Sequence, residues 1–343
     1  MQDLRLLQLY PSRITLTNPR TKKQFHEMKF NSQCRSFFYD REKAAIKNFA
    51  TVKNPFIISK ASKKKIMDSI NSMYCLSQPR KVEMKTGKII FNYRLSFVTL
   101  TLPSKQIHSD TQIKKDCLNQ FLIELRKNYG VDNYVWKAEL QKNENIHFHI
   151  ILDKYIDFQA LRRRWNRIIN KLGYVTAYSE KFQKINLSQY HATRNRMAPC
   201  SFEKSKTAYA AGERSKWLNP NSVDVKSVYS KKDLAVYLSK YITKPVSKNA
   251  AGAENLEREL AFGRAWYRSY SLSSLKYQNK FLASEMQHLI KYLLSVPDKV
   301  LCITQQFFTA FYFSPETLSL AFQEFHKKYI LANALMYRYP IPT

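Results

Sequence analysis

Ile146-His147-Phe148-His149-Ile150-Ile151-Leu152 places two histidines one residue apart inside an apolar run. In a β-strand, residues i and i+2 point to the same face. Both imidazoles therefore leave one side of a sheet. Phe148, Ile150 and Leu152 leave the other side and point into a core. Two neutral imidazoles side by side are half of a divalent-metal site.

Asp132 to Gln141 reads as the strand before it. Tyr134, Trp136, Ala138 and Leu140 share one face, and Val135, Lys137, Glu139 and Gln141 share the other. The polar loop Lys142-Asn143-Glu144-Asn145 joins the two strands into a hairpin. Its length decides what faces Glu139. An odd number of loop residues sets Glu139 beside His147 or His149 on one face. A two- or four-residue loop sets it opposite Phe148 instead. The sequence leaves both registers open.

Working outward, Ile89 to Leu102 is strand-like. Phe97, Thr99 and Thr101 alternate with Val98, Leu100 and Leu102, and Pro103 ends the run. A helix is predicted over 110–128, where Ile113, Cys117, Phe121 and Leu125 recur at i+4, with Gly130 as its stop. A second, basic helix is predicted over 157–172. Leu161, Trp165 and Ile168 line its apolar face, and Arg162, Arg163, Arg164 and Arg167 cover the rest. Residues 173–220 read as a loop-rich insertion, and Ser222 to Val228 alternates again as a strand. The expected class is α+β, a central antiparallel sheet with flanking helices.

Ser230 is an N-cap candidate for a helix running to about Thr243. Within it, Tyr237, Lys240, Tyr241 and Lys244 are spaced i, i+3, i+4, i+7 and share one helical face. A phenolate is a competent nucleophile towards phosphorus, and an adjacent ammonium stabilises its charge and that of the transition state. Half-buried tyrosines with solvated lysines are the bland alternative.

Three regions are expected: a basic N-terminal extension over 1–85, a central domain over 86–247 and a mainly helical region over 248–343. Helices are read at 41–49 and 59–73 in the first, and at 254–261, 283–294, 299–311 and 315–336 in the last.

The chain carries 57 Lys plus Arg against 26 Asp plus Glu, a formal charge of +31, with 22 Tyr and 21 Phe. That balance suits a polyanion whose bases can be stacked upon, as in single-stranded nucleic acid. The five cysteines are scattered without a C-x-x-C pair, which excludes a zinc ribbon and fits a reducing compartment. No apolar run reaches the length of a membrane span and no signal-peptide core is present, so a cytoplasmic protein is expected. No Gly-x-x-x-x-Gly-Lys-Ser/Thr occurs, so no P-loop helicase is fused.

The joint order is more specific than any one motif. The sequence resembles the HUH endonucleases, and within them the rolling-circle replication initiators of bacterial plasmids and single-stranded DNA phages. Phe97-Val98-Thr99-Leu100-Thr101 is similar to the family's first motif, and His147-Phe148-His149 to its second. Tyr237-Leu238-Ser239-Lys240-Tyr241-Ile242-Thr243-Lys244 is similar to its third, in the two-tyrosine form of microvirus gene A-type initiators. Phe262-Gly263-Arg264-Ala265-Trp266 also resembles a segment that follows the tyrosine helix in such initiators. The resemblance spans about residues 90 to 270. It departs at Asn143-Glu144-Asn145, where a glycine is common.

The resemblance implies an RRM- or ferredoxin-like nuclease core. It implies one Mg²⁺ or Mn²⁺ held by Glu139, His147 and His149. Asp153, four residues after His149, is a weaker fourth ligand than it is a strand-end carboxylate. The activity implied is site-specific nicking and joining of single-stranded or hairpin origin DNA. Tyr237 or Tyr241 would be the nucleophile, Lys240 and Lys244 would stabilise charge, and a host helicase and polymerase would be the partners. Thr99, Thr101 and the arginines at 162, 163, 164 and 167 are the candidate DNA contacts. An HUH transposase and a non-catalytic nucleic-acid-binding protein are the alternatives.

Overall fold

The computed structural model describes residues 5–17, 58–84, 86–197, 199–230, 234, 258, 261–273, 278–305 and 308–331. The helix expected at 41–49 lies outside them, as do all but Ser230 and Leu234 of the one expected over 230–243 and all but Arg258 and Ala261 of the one expected at 254–261.

In chain order the main described elements begin with β1 (Leu6–Tyr10), β2 (Arg13–Thr17), α1 (Lys60–Leu76), β3 (Arg80–Glu83), β4 (Ile89–Tyr93) and β5 (Leu95–Leu100). There follow α2 (residues 110–129, with a π-helical stretch Ile113–Leu118), β6 (Tyr134–Leu140), β7 (Ile146–Leu152) and α3 (Phe158–Asn170). Next come α4 (Tyr174–Gln183), α5 (Leu187–Met197), α6 (Phe202–Arg214), β8 (Val223–Val228) and β9 (Trp266–Arg268). The last are β10 (Gln278–Leu282), α7 (Gln287–Leu294), β11 (Val300–Gln305), β12 (Phe308–Phe313) and α8 (residues 320–331). Two compact units result. The described residues of 55–63 and 79–267 form one, and those of 1–54, 64–78 and 268–343 form the other.

The first unit is α+β, as expected. Its sheet runs β8-β5-β7-β6-β9, with β5, β7, β6 and β8 paired antiparallel. β5-α2-β6-β7-α3-β8 is a βαββαβ unit with spatial order 4-1-3-2, the ferredoxin-like arrangement. The apolar alternation dictates one buried face. Val98, Leu100, Ala138, Phe148, Ile150 and Leu152 pack against Ile113, Phe121 and Leu125 of α2 and Leu161, Trp165 and Ile168 of α3. Gly130 takes φ 60° and ends α2, a conformation that costs glycine nothing. Asp157 caps α3, its carboxylate accepting from the N–H groups of Gln159 and Ala160.

Glu124 of α2 ties the two helices together. It accepts from Arg164 and, at 2.5 and 2.7 Å, from Arg167. Burial alone would push its carboxyl up. Hydrogen bonds from Arg167, Gln120 and Arg164 outweigh that and bring it down to about 2.

Residues 173–220 form three helices rather than the expected loop-rich insertion. Their core is aromatic and assembled from distant positions, with only Tyr178 and Phe182 of α4 at helical spacing, so local pattern does not reveal it. Trp217 stacks on Phe182, with ring centres 5.1 Å apart, and meets Tyr190 and Tyr209 at 5.2 and 5.4 Å. Gly212 is required there, since a Cβ would stand 2.4 Å from the Trp217 ring.

The second unit holds a further correction. The run 299–311 is the hairpin β11–β12, not a helix. Short apolar runs carry no decisive period, and here pairing decides. β12 pairs with β2, β2 with β1 and β1 with β10, giving the order β10-β1-β2-β12-β11. Residues 6–17, read as part of a basic extension, thus form central strands, with Leu7, Leu9, Ile14 and Leu16 buried. The predicted helix at 59–73 is present as α1, with Ile66, Ile70 and Met73 buried. Arg13 binds its Asp68 at 2.7 Å, and the Tyr74 hydroxyl reaches Glu316 at 3.1 Å.

Because the Glu124 carboxyl falls from 4.5 to about 2 on folding, its ionised form stabilises the fold fully above about pH 4.5. That contribution drains as pH falls towards 2. Glu124→Gln is expected to flatten this part of the acid-unfolding profile followed by circular dichroism. An unchanged profile would mean that the clamp is not formed in solution.

Candidate metal centre

The hairpin turn sets the register. Gln141 N–H donates to Asn145 O at 2.9 Å, and Glu144 N–H donates to Gln141 O at 2.9 Å. The loop proper is therefore Lys142-Asn143-Glu144, three residues, with Glu144 in the left-handed region at φ 64°. A type I turn followed by one left-handed residue is the usual three-residue hairpin, and that position favours glycine. The odd loop sets Glu139 opposite His147, Ala138 opposite Phe148 and Lys137 opposite His149.

Polar contacts behind the turn hold it in place. Asn145 is buried; its Oδ1 accepts from Gln106 N–H at 2.9 Å and its Nδ2 donates to Ser104 O at 2.7 Å. Gln106 Oε1 accepts from Ile146 N–H at 2.6 Å. Arg258 pairs with the buried Asp110 at 2.8 and 2.9 Å and donates to Glu144 O at 2.8 Å.

The face opposite the apolar core then carries Phe97 and Thr99 from β5, His147 and His149 from β7, and Lys137 and Glu139 from β6. His149 Nε2 lies 2.7 Å from Glu139 Oε1. Its Nδ1 lies 3.4 Å from Thr99 Oγ1, and Phe97 stacks on its ring with centres 5.4 Å apart. The two imidazoles meet edge to face, 4.4 Å apart. Burial raises the Glu139 carboxyl, but the hydrogen bond and charge of His149, with Lys137 and His147, hold it below its usual range.

One ligand atom each from Glu139, His147 and His149 lies within 4.8 Å of the others. Donors bound to one ion at about 2.1 Å stand up to about 4.2 Å apart. Small side-chain shifts therefore bring the three onto one divalent cation. Two imidazoles with one carboxylate fit such an ion and leave positions open on it. Thr99 and Phe97 act behind His149, fixing its second nitrogen and its ring plane.

Other expected residues fall elsewhere. Thr101 Oγ1 donates to Ser222 O at 3.2 Å. Asp153 caps the strand end, its carboxylate taking Asn133 N–H and Nδ2 at 2.8 Å each. Arg162, Arg163, Arg164 and Arg167 sit on α3, which packs on the apolar face of the sheet. Arg164 and Arg167 are held by Glu124, Arg162 donates to Asn221 Oδ1 at 2.6 Å, and Arg163 is exposed. Tyr237, Lys240, Tyr241 and Lys244 lie outside the described residues; of the stretch expected to be helical only Leu234 is described beyond Ser230, and its N–H donates to Ser230 O at 3.1 Å.

The segment 262–266 packs onto the same unit through Phe262 and Ala265. Phe262 enters the core, Lys114 donates to its carbonyl, and Ala265 O accepts from Ala138 N–H at 2.8 Å as β9 joins β6. Sequence reasoning placed Lys137 on this face but gave it no role. Its signal was a charged residue on the same strand face as Glu139, two positions before it. Among the described residues, no helix is long and apolar enough to cross a membrane.

Residues 95–246 match the family model for replication-associated proteins of the ORF2 and gene 2 protein group. The match supports a replication initiator family, and such families are generally endonucleases that bind DNA. The matched span starts at the first residue of β5 and includes the metal-ligand candidates and the 237–244 segment. No curated protein and no solved structure matches the chain.

Titration of the protein with Mn²⁺, followed by calorimetry, should give one saturable site that a chelator empties. His147→Ala should weaken it by roughly tenfold or more. Equal binding by the variant would remove His147 from the centre. Glu144→Gly should raise the denaturation midpoint by about 1 kcal/mol of stability, because it relieves the left-handed position. A lower midpoint would contradict the turn geometry.

Proposed function

We propose that the protein is a rolling-circle replication initiator that nicks and rejoins single-stranded DNA through a 5′-phosphotyrosyl intermediate. The observation that carries this reading is the register that sets Glu139 across from His147 and beside His149, inside a span matched by a replication-associated family model.

The oxygen of Tyr237 or Tyr241 attacks the scissile phosphorus. A P–O(Tyr) bond forms, the P–O3′ bond breaks, and the leaving 3′ oxygen takes up a proton. The products are a 5′-phosphotyrosyl protein and a free 3′-OH, which primes a host polymerase. Because the phosphodiester energy is kept, the second tyrosine can take over the strand and close the circle. Lys240 and Lys244, on the same helical face by spacing, balance the phenolate and the phosphorane-like charge.

A bound Mg²⁺ or Mn²⁺ would polarise the scissile phosphate. Glu139, His147 and His149 would hold it, with His149 oriented by Thr99 and Phe97. Thr99 and Thr101 lie along the strand that borders the histidines and would touch the DNA backbone. Arg163, and Arg162 beside it, are the arginines of α3 left for contact with origin DNA. With no P-loop in the chain, unwinding falls to a host helicase.

Incubation with labelled single-stranded origin DNA and Mn²⁺ should give an SDS-resistant adduct of protein and DNA. The double variant Tyr237→Phe/Tyr241→Phe should abolish it. His147→Ala should lose at least about a hundredfold in cleavage, on the scale of losing a principal electrostatic stabiliser, while keeping salt-sensitive DNA binding. An undiminished adduct in the double tyrosine variant would falsify the mechanism.

A further inference from the structure

Lys137 lies directly across from His149 in the β6–β7 pairing. Its side chain is only 6% exposed, and its Nζ stands 3.7 Å from Glu139 Oε2. The other oxygen of that carboxylate, Oε1, faces His149 at 2.7 Å. The neighbouring pair on the same face, Val135 and Ile151, is apolar and buried. A hydrophobic residue at 137 would therefore suit the sheet. A buried ammonium is disfavoured unless its charge is used or matched, and a positive charge beside three ligands for a cation opposes the cation.

Charge balance gives the lysine a purpose. Two neutral imidazoles, one carboxylate and one ammonium sum to zero. A divalent ion alone leaves the centre with two uncompensated positive charges. A phosphodiester removes one of them, and the doubly negative phosphorane-like transition state removes both. Without the ammonium, the ion alone would face a centre carrying one negative charge.

We infer that Lys137 is a charge-balancing residue that makes metal binding at Glu139, His147 and His149 depend on a DNA phosphate being present. The inference rests on the metal-centre reading above. The lysine weakens the ion's hold when the site has no DNA. A bound phosphate offsets that repulsion, and the coupling of ion and phosphate is reciprocal: DNA tightens metal binding by the factor by which metal tightens DNA binding. An idle site would thus carry little metal, and the centre would assemble on the substrate.

The test uses the full chain and Mn²⁺ binding read by electron paramagnetic resonance, with and without a single-stranded oligothymidylate. The wild type should bind Mn²⁺ more tightly with the oligonucleotide. Lys137→Met, close in volume and uncharged, should bind Mn²⁺ alone roughly tenfold tighter than wild type, as removal of a nearby like charge requires. Its site should therefore fill at Mn²⁺ concentrations that leave the wild type empty until the oligonucleotide is added. Lys137→Arg should restore both behaviours. Tighter metal together with weaker binding of the oligonucleotide in the absence of metal is a pair of opposite signs that a merely structural role would not produce.

If Lys137→Met fails to fold by circular dichroism, Lys137→Gln takes its place. The DNA dependence in wild type tests the idea on its own. Binding of Mn²⁺ by wild type that ignores the oligonucleotide, or a neutral variant that binds Mn²⁺ no tighter, overturns the inference and leaves the metal centre standing. No Mn²⁺ binding by wild type in either condition overturns both.

Discussion

The pairing of β6 with β7 is the constraint on which the rest depends. Side chains alternate faces along a strand, so a one-residue slip would turn Glu139 towards Phe148 and the core. It would break the set of Glu139, His147 and His149 without altering a single residue. Two features prevent the slip. The apolar face of β7, with Phe148, Ile150 and Leu152 fully buried, makes the alternative expensive. The three-residue turn, backed by Asn145 and Gln106, makes it geometrically unavailable. That lock also explains how Glu144 is kept in a conformation better suited to glycine.

The sheet works as a partition. Behind it, the apolar residues of β5, β6 and β7 meet α2 and α3, and part of the charge present there is spent on structure. Glu124 occupies Arg164 and Arg167, so two of the four arginines of α3 contribute to joining helices. In front of it, ionisable groups crowd one patch. Glu139 has His149 on one oxygen and Lys137 near the other. The same residue type thus serves two ends, decided by which face its strand or helix presents. The large positive charge of the chain is likewise not a uniform coat, because part of it is committed within the fold.

Much of the first unit was legible from local pattern. The faces of β5, β6 and β7, the stripes of α2 and α3 and the pairing of two histidines on one strand face all follow from periods of 2 and 3.6. The insertion at 173–220 was not. Its core joins Tyr178, Phe182, Tyr190, Tyr209 and Trp217, which belong to no one period. The β11–β12 hairpin escapes local pattern for a related reason. A short apolar run such as Val300-Leu301-Cys302-Ile303 takes its form from its partner, and β12 finds that partner in β2, nearly three hundred positions earlier. Strands β1 and β2 did carry a signal, the alternation of Leu7, Leu9, Ile14 and Leu16, though its meaning depended on strands at the far end of the chain.

Sequence alone was sufficient for the histidine pair on one strand face, for Glu139 as a candidate on the strand before it, and for the Tyr237/Lys240/Tyr241/Lys244 spacing. Each of those is a statement about neighbours along the chain. Tertiary structure decided that Glu139 meets the histidines, that Thr99 and Phe97 orient His149, and that a lysine is buried among them. The reason is physical. A repeat period says which side chains share a face of one strand, whereas the turn and the core packing say which strands lie side by side and in what register.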